Sequence, residues 1–172
     1  MINFFRILMH CKRSLKSELW INLVKYQCGS FKGKVKANHK TCVTKETHLG
    51  DNVNFNGLVI NGGGKVSIGD NFHSGEGCLF ICQSHDYDTG DSIPYGSNYI
   101  LKDIIIESNV WLGSRVIVLG GVKIGEGAII QAGSCVVSDI PAYAIAGGHP
   151  AKVFSQRDIE NYIKLKSENK FH

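Results

Sequence analysis

From Ile106 onward every sixth residue is aliphatic: Ile106, Leu112, Val118, Ile124, Ile130 and Val136. Two positions before each of these stand Ile104, Val110, Val116, Val122, Ala128 and Ser134, shrinking toward the end of the run. Turn-formers lie between the apolar pairs, among them Ser108-Asn109, Gly120-Gly121, Glu126-Gly127 and Gly133. A period of six fits neither the 3.6-residue helix nor the two-residue alternation of a half-buried strand. It fits short strands joined by tight corners, each strand turning its aliphatic residues inward. Three hexads close a triangular coil of roughly 18 residues, and a coil of this kind buries its inward side chains only against the coils stacked on it. The expected fold is an all-β solenoid with parallel strands.

The same grammar runs through His48-Leu49-Gly50-Asp51-Asn52-Val53 and Val66-Ser67-Ile68-Gly69-Asp70-Asn71-Phe72. Between about residues 82 and 104 it stops, and a polar, turn-rich stretch that includes His85-Asp86-Tyr87-Asp88-Thr89-Gly90-Asp91 takes its place. A long excursion from a regular solenoid reads as a functional loop. Near the N-terminus, Phe4, Leu8, Cys11, Leu15, Leu19, Asn22/Leu23 and Tyr26 trace one helical stripe, with Lys12, Arg13 and Lys16 mostly off it. Near the other end, Ser155-Gln156-Arg157-Asp158 reads as a helix start, followed by Ile159, Ile163 and Lys166. The expected organisation is one domain over residues 1–172: a basic helical segment (1–45), a solenoid core (46–154) and a C-terminal helix (155–172). Both helices are expected to pack on the solenoid.

Composition narrows the class. The high glycine count (20) beside few prolines (3) suits many tight corners in an ordered fold. No apolar run is long enough to span a bilayer, and the N-terminal run lacks a cleavage site, so no signal peptide is expected. The six cysteines, at 11, 28, 42, 78, 82 and 135, form no CxxC pair and are expected to be reduced thiols, most of them buried. Charge is uneven. Residues 1–45 carry ten Lys/Arg against Glu18 alone, a net +9; the rest hold nine basic and fourteen acidic residues, a net −5. A basic amphipathic segment suits an anionic membrane surface or an acidic polymer, and equally a packed helix with a solvated face. No nucleic-acid partner is expected.

The stretch from Val110-Trp111-Leu112-Gly113-Ser114 through Gly133-Ser134 to Ser138-Asp139-Ile140-Pro141, then Ala146-Gly147-Gly148-His149-Pro150-Ala151-Lys152-Val153, closely resembles the hexapeptide-repeat acetyltransferases. Within that family it is most similar to the branch of galactoside, maltose and nodulation-factor acetyltransferases and polysaccharide O-acetyltransferases. The resemblance covers residues 46–154. It implies a left-handed parallel β-helix and a homotrimer with active sites between neighbouring subunits. It also implies acetyl-CoA as co-substrate along the C-terminal coils, and direct acetyl transfer without an acyl-enzyme. Two features depart from the sugar enzymes: the N-terminal segment is of a different type, and Asp86 follows the candidate histidine where proline is usual.

The resemblance places His85 at the family's catalytic histidine. A hydroxyl is a poor nucleophile at neutral pH, and a neutral imidazole beside it can take its proton as the thioester is attacked. Asn56 falls near an acceptor-binding asparagine, with Asn54 possible one register away; either also suits a corner of the coil. Trp111 corresponds to an aromatic wall of the acetyl and acceptor pocket, and an outward tryptophan at a subunit contact would look the same. Ser114 and Ala132 correspond to contacts with the pantetheine arm, Gly113 to its close approach, and Lys152 to a cation that meets CoA phosphate. The backbone N–H of Gly113 or Ser114 is a candidate oxyanion donor. Asp86, with Asp88 and Asp91, could orient His85, bind sugar hydroxyls or merely solvate the loop. His73 and His149 are read as structural.

The expected activity is O-acetylation of a sugar, in a bacterial surface polysaccharide or its precursor, in the cytoplasm or at the inner face of the membrane. Alternatives are N-acetylation of a nucleotide-linked amino sugar and O-acetylation of an antibiotic. Zinc chemistry of the carbonic anhydrase kind is not expected, because a catalytic zinc needs three protein ligands and the histidine spacing here does not supply them.

Overall fold

The computed structural model describes residues 2–172, with side chains described from residue 15 onward. Helix α1 (Ile2–Gln27) leads into a left-handed parallel β-helix of six coils. The first coil holds β1 (Ser30–Phe31) and β2 (Val35–Ala37), and its third side passes through Cys42, which bridges to Val59. The second holds β3 (Thr47–Leu49), β4 (Val53–Asn56) and β5 (Val59–Asn61), and the third β6 (Val66–Ile68), β7 (His73–Glu76) and β8 (Leu79–Ile81). An antiparallel ribbon, β9 (Gln83–His85) with β10 (Tyr99–Leu101), then leaves the solenoid. The fourth coil is β11 (Ile104–Ile106), β12 (Trp111–Leu112) and β13 (Ile117–Leu119). The fifth is β14 (Lys123–Ile124), β15 (Ile129–Ile130) and β16 (Cys135–Val136). The last ends in a hairpin of β17 (Ala144–Gly148) and β18 (Ala151–Gln156), followed by helix α2 (Ile159–Ser167).

The strands stack into three faces. The first is β1-β3-β6-β11-β14, the second β2-β4-β7-β12-β15-β17 with β18 at its edge, and the third β5-β8-β13-β16. All twelve aliphatic-track positions named from the sequence, from Ile104 to Val136, are buried. Each inward aliphatic side chain contributes roughly 1.5–3 kcal/mol. Ser134 fits among them because its hydroxyl donates to Gln131 O at 2.6 Å and accepts from Gly148 N at 3.1 Å.

Corners are set by residues that tolerate positive φ. Between the first and second faces these are Asn52 (φ 54°), Asn71 (φ 53°) and Asn109 (φ 63°), asparagine being the side chain that most readily adopts the left-handed region after glycine. Their amides form a ladder: Asn52 Nδ2 donates to Asn71 Oδ1 and Asn71 Nδ2 to Asn109 Oδ1, both at 2.9 Å.

The strand pattern starts at Ser30, ahead of the repeat's first legible hexad at residues 48–53, because the first coil has few aliphatic positions and is closed instead by helix α1. That helix docks through Trp20, Ile21 and Val24, with Ser17 Oγ donating to Ala37 O at 2.9 Å. The sequence stripe does not face the coil: Leu15 (73%), Leu19 (61%) and Tyr26 (77%) are exposed. The helix is rotated so that Val24 enters the core and Gln27 Oε1 accepts from Val43 N at 3.3 Å. Phe4, Leu8 and Cys11 lie outside the described side chains. At the C-terminal end, Asp158 caps α2 by accepting from Asn161 N at 3.0 Å. Ile159 and Ile163 are exposed, and Tyr162 makes the docking contact. Cys28, Cys78 and Cys82 are buried free thiols, and burial raises the pKa of each.

Candidate active site

His85 ends β9, at the corner between the third and first faces. The ribbon can leave there because Gly64 sits beneath its root: a Cβ on Gly64 would lie 2.4 Å from Cys82 O and 2.6 Å from Lys102 O. His85 pairs in register with Tyr99, and the loop returns to lay the Tyr95 ring on the imidazole. The His85 and Tyr95 centroids are 3.8 Å apart with planes at 19°, and the Tyr99 centroid is 4.6 Å away at 39°. Nδ1 of His85 is buried with no hydrogen-bond partner among the described residues, which leaves Nε2 as the nitrogen open to an acceptor.

The carboxylate of Asp86 turns into its own loop. It accepts from Thr89 N at 2.9 Å and Thr89 Oγ1 at 2.7 Å, and these bonds hold it below the usual carboxylate range. Its backbone accepts from Gly96 N at 2.7 Å and donates to Asn98 O at 3.1 Å. Asp86 therefore shapes the loop that carries Tyr95, and its carboxylate makes no bond to His85.

The second face carries one outward column in strict register: Lys36, Asn54, His73, Trp111, Ile129 and Ile145. Trp111 is 53% exposed. It looks into an open groove of about 740 Å³ between this face and α2, lined also by His73, Ile129, Arg157, Tyr162 and Leu165. Burial is the largest influence on His73 and holds its imidazole below the ordinary value. This groove is not legible in the sequence, since nothing in the six-residue period reports where a C-terminal helix folds back. Asn54 is buried, donating to Asn52 O at 3.0 Å and lying 3.3 Å from His73 Nε2. Asn56 donates to Ser74 O and accepts from Asn38 Nδ2, both at 2.8 Å. Both asparagine side chains are thus tied into the coil.

Gly113, Ser114 and Ala132 stack along the corner between the second and third faces. A Cβ on Gly113 would lie 2.5 Å from Ala132 N, so coil stacking by itself requires glycine there. Ser114 and Ala132 are exposed, and Ser114 Oγ accepts from Glu76 N at 3.3 Å. Lys152 is exposed on β18, opposite Gly147, and Gly147 packs on the side chain of Gln131 beside Ala132. Trp111, Ser114, Ala132 and Lys152 thus mark an exposed ledge along the second face and its edge.

One chain does not bring all the candidates together. His85 and Asp86 occupy the corner between the third and first faces, whereas Trp111, Gly113, Ser114, Ala132 and Lys152 lie on the second face and its edge. Between these groups stands the third face, whose outward columns are mostly apolar: Val59, Leu79, Ile117 and Cys135 in one, Asn61, Ile81 and Leu119 in the other. Among the described residues, no three His, Cys, Asp or Glu side chains converge as a metal site would need.

Residues 103–138 match the family model of the bacterial transferase hexapeptide (six repeats). A chloramphenicol acetyltransferase of Klebsiella aerogenes is 34% identical over 122 residues, covering 60% of this chain and 57% of that protein. The chain thus spans little more than half the length of that relative. A hexapeptide-repeat acetyltransferase of Vibrio cholerae, in complex with acetyl-CoA, is 31% identical with a TM-score of 0.63, over 78% of this chain and 74% of that one. A galactoside acetyltransferase in complex with coenzyme A is 28% identical with a TM-score of 0.65, over 81% and 71%. With its buried hexad track, its six parallel coils and these relatives, the chain belongs to the hexapeptide-repeat acetyltransferase family.

Proposed function

We propose that this protein transfers the acetyl group of acetyl-CoA to a sugar hydroxyl, in a bacterial surface polysaccharide or its precursor, with His85 as general base. The observation that carries the reading is the pose of His85: a half-buried imidazole at the root of the excursion ribbon, Nε2 open to an acceptor. In the reaction, Nε2 takes the hydroxyl proton as the oxygen bonds to the thioester carbonyl. The tetrahedral intermediate then expels the CoA thiolate, and the imidazolium returns the proton to sulfur.

The exposed ledge from Trp111 to Lys152 suits the co-substrate: an aromatic wall, a stretch of small residues for the pantetheine arm, and a cation for phosphate. The Vibrio cholerae and galactoside relatives bind acetyl-CoA and coenzyme A. The oxyanion is assigned to the backbone N–H of Ser114, because that of Gly113 already donates to Ile130 O.

The active unit is a homotrimer. The mostly apolar columns of the third face suit cover by a second copy, and a neighbour docked there would bring its ledge to the His85 corner. Each site would then take its base from one subunit and its cofactor ledge from the next. The exposed apolar stripe of α1, flanked by Lys16 and Lys25, suits contact with an anionic membrane; no helix among the described residues is long and apolar enough to cross one.

The test is His85→Ala assayed with acetyl-CoA against a panel of sugars, nucleotide-linked amino sugars and chloramphenicol. Loss of turnover on the accepted substrate is expected; near-normal turnover would remove the base from the mechanism. An alkali-labile product identifies an ester and a stable one an amide, which separates O- from N-transfer. Trimer mass in solution, and its loss on Ile117→Lys, tests the assembly.

A further inference from the structure

We propose that Tyr95 and Tyr99 are positioning residues for His85, an aromatic clamp that fixes the plane of its imidazole and so the line along which its free nitrogen meets the acceptor. This rests on the reading of His85 as the base. Both tyrosines are substantially exposed, at 46% and 55%, so burial in the core does not account for them. What they share is the imidazole, Tyr95 stacked on it and Tyr99 tilted beside it.

The chain around Tyr95 is built to hold that stack. Gly96 N donates to Asp86 O, which brings the return limb of the loop back beside His85, and Ser92 Oγ donates to Tyr95 O at 3.0 Å. Asp86 stabilises the outgoing limb through Thr89. Tyr99 is held differently, by direct register with His85 across the ribbon. Two limbs of one loop thus converge on a single ring.

The consequence is chemical. A histidine is usually oriented by a hydrogen bond from its second nitrogen, and among the described residues His85 has none on Nδ1. Of the ionisable side chains nearby, Asp86 is taken by Thr89, and neither Asp88, Asp91 nor Lys102 forms a bond or ion pair with the imidazole among the described residues. Packing against ring faces therefore replaces the missing hydrogen bond. It restricts rotation about χ2, and turning the ring out of the stack would swing Nε2 away from the acceptor side. A ring face also suits the imidazolium formed when Nε2 takes the proton.

The experiment compares Tyr95→Leu and Tyr99→Leu with Tyr95→Phe and Tyr99→Phe. The first measurement needs no acceptor: NMR of the protein with 13C,15N-labelled histidine follows the His85 ring resonances. The wild type and both Phe variants are expected to show ring-current-shifted His85 signals. The Leu variants should lose the shift. The second is turnover of acetyl-CoA with the acceptor selected by the panel. The Leu variants should lose on the order of tenfold or more in kcat, with KM for acetyl-CoA within about twofold, and the Phe variants should restore it. Unchanged ring signals in the Leu variants, or Leu and Phe variants alike in kcat, would overturn the clamp. If His85→Ala stays active while the Leu variants lose their ring-current shifts, the base assignment fails and the clamp survives as structure alone.

Discussion

Asn109 donates from Nδ2 to the Tyr162 hydroxyl at 2.7 Å, tying the last asparagine of the corner ladder to helix α2. The same hydroxyl donates to Glu126 Oε1 at 2.8 Å, and Lys166 pairs with that carboxylate. Through this cluster α2 is held on the solenoid and forms the far wall of the Trp111 groove. Tyr162→Phe removes both bonds and leaves the ring packed. A loss of about 1–2 kcal/mol is expected, since one of the two bonds meets a charged group. Chemical denaturation measures it, and amide exchange should rise first over residues 159–167.

The cluster also sets a pH window. Burial raises the Glu126 carboxyl, but the hydrogen bonds from Lys166, Tyr162 and Asn109 and the charge of Lys166 outweigh it, and its pKa ends below the ordinary 4.5. Its contribution is complete above that ordinary value and is lost as pH falls through the lower folded one. Tyr162 is shifted upward, first by burial and then by its bond to Glu126, so its contribution is complete below the ordinary value of 10.0 and is lost as pH rises beyond it. The melting temperature is expected to fall at both ends. Glu126→Gln should flatten the acid limb and Tyr162→Phe the alkaline one.

Gly113→Ala tests how tightly the coils stack. The new methyl would press on the backbone nitrogen of Ala132, which cannot turn aside as a side chain would. Overpacking of this kind costs about 1–3 kcal/mol. Thermal melting should register a clear drop, whether or not a ligand is present.

Trp111 and Phe80 should behave oppositely. Phe80 is fully buried in the solenoid core, and Phe80→Ala should cost about 3–5 kcal/mol. Trp111 is half exposed on the ledge, so Trp111→Ala should change stability by less than about 1 kcal/mol. Calorimetric titration with coenzyme A should nonetheless weaken severalfold in the tryptophan variant. Equal binding by wild type and variant would take Trp111 off the ledge's binding surface.

The solenoid was legible because its determinant is local and repetitive. A coil needs an inward aliphatic side chain every six residues and a corner residue that accepts positive φ, and Ile106, Leu112, Val118 and Asn109 declare both in the chain itself. The break in that rhythm also located the ribbon and His85. Helix α1 was harder to read. Its apolar residues occupy more than one side, and only contact with the first coil selected Trp20, Ile21 and Val24 over Leu15, Leu19 and Tyr26.

The clamp of Tyr95 and Tyr99 on His85, the diversion of Asp86 to Thr89, and the groove between Trp111 and α2 were decided only by tertiary structure. Each joins residues that no periodicity relates: a loop returning on itself, a carboxylate choosing between two nearby donors, a terminal helix folding back over a face. The sequence by itself determined the β-helix, through burial and corner geometry that act within one coil and between neighbours. What surrounds each candidate residue depends on long-range packing, and that became readable only once the chain was folded.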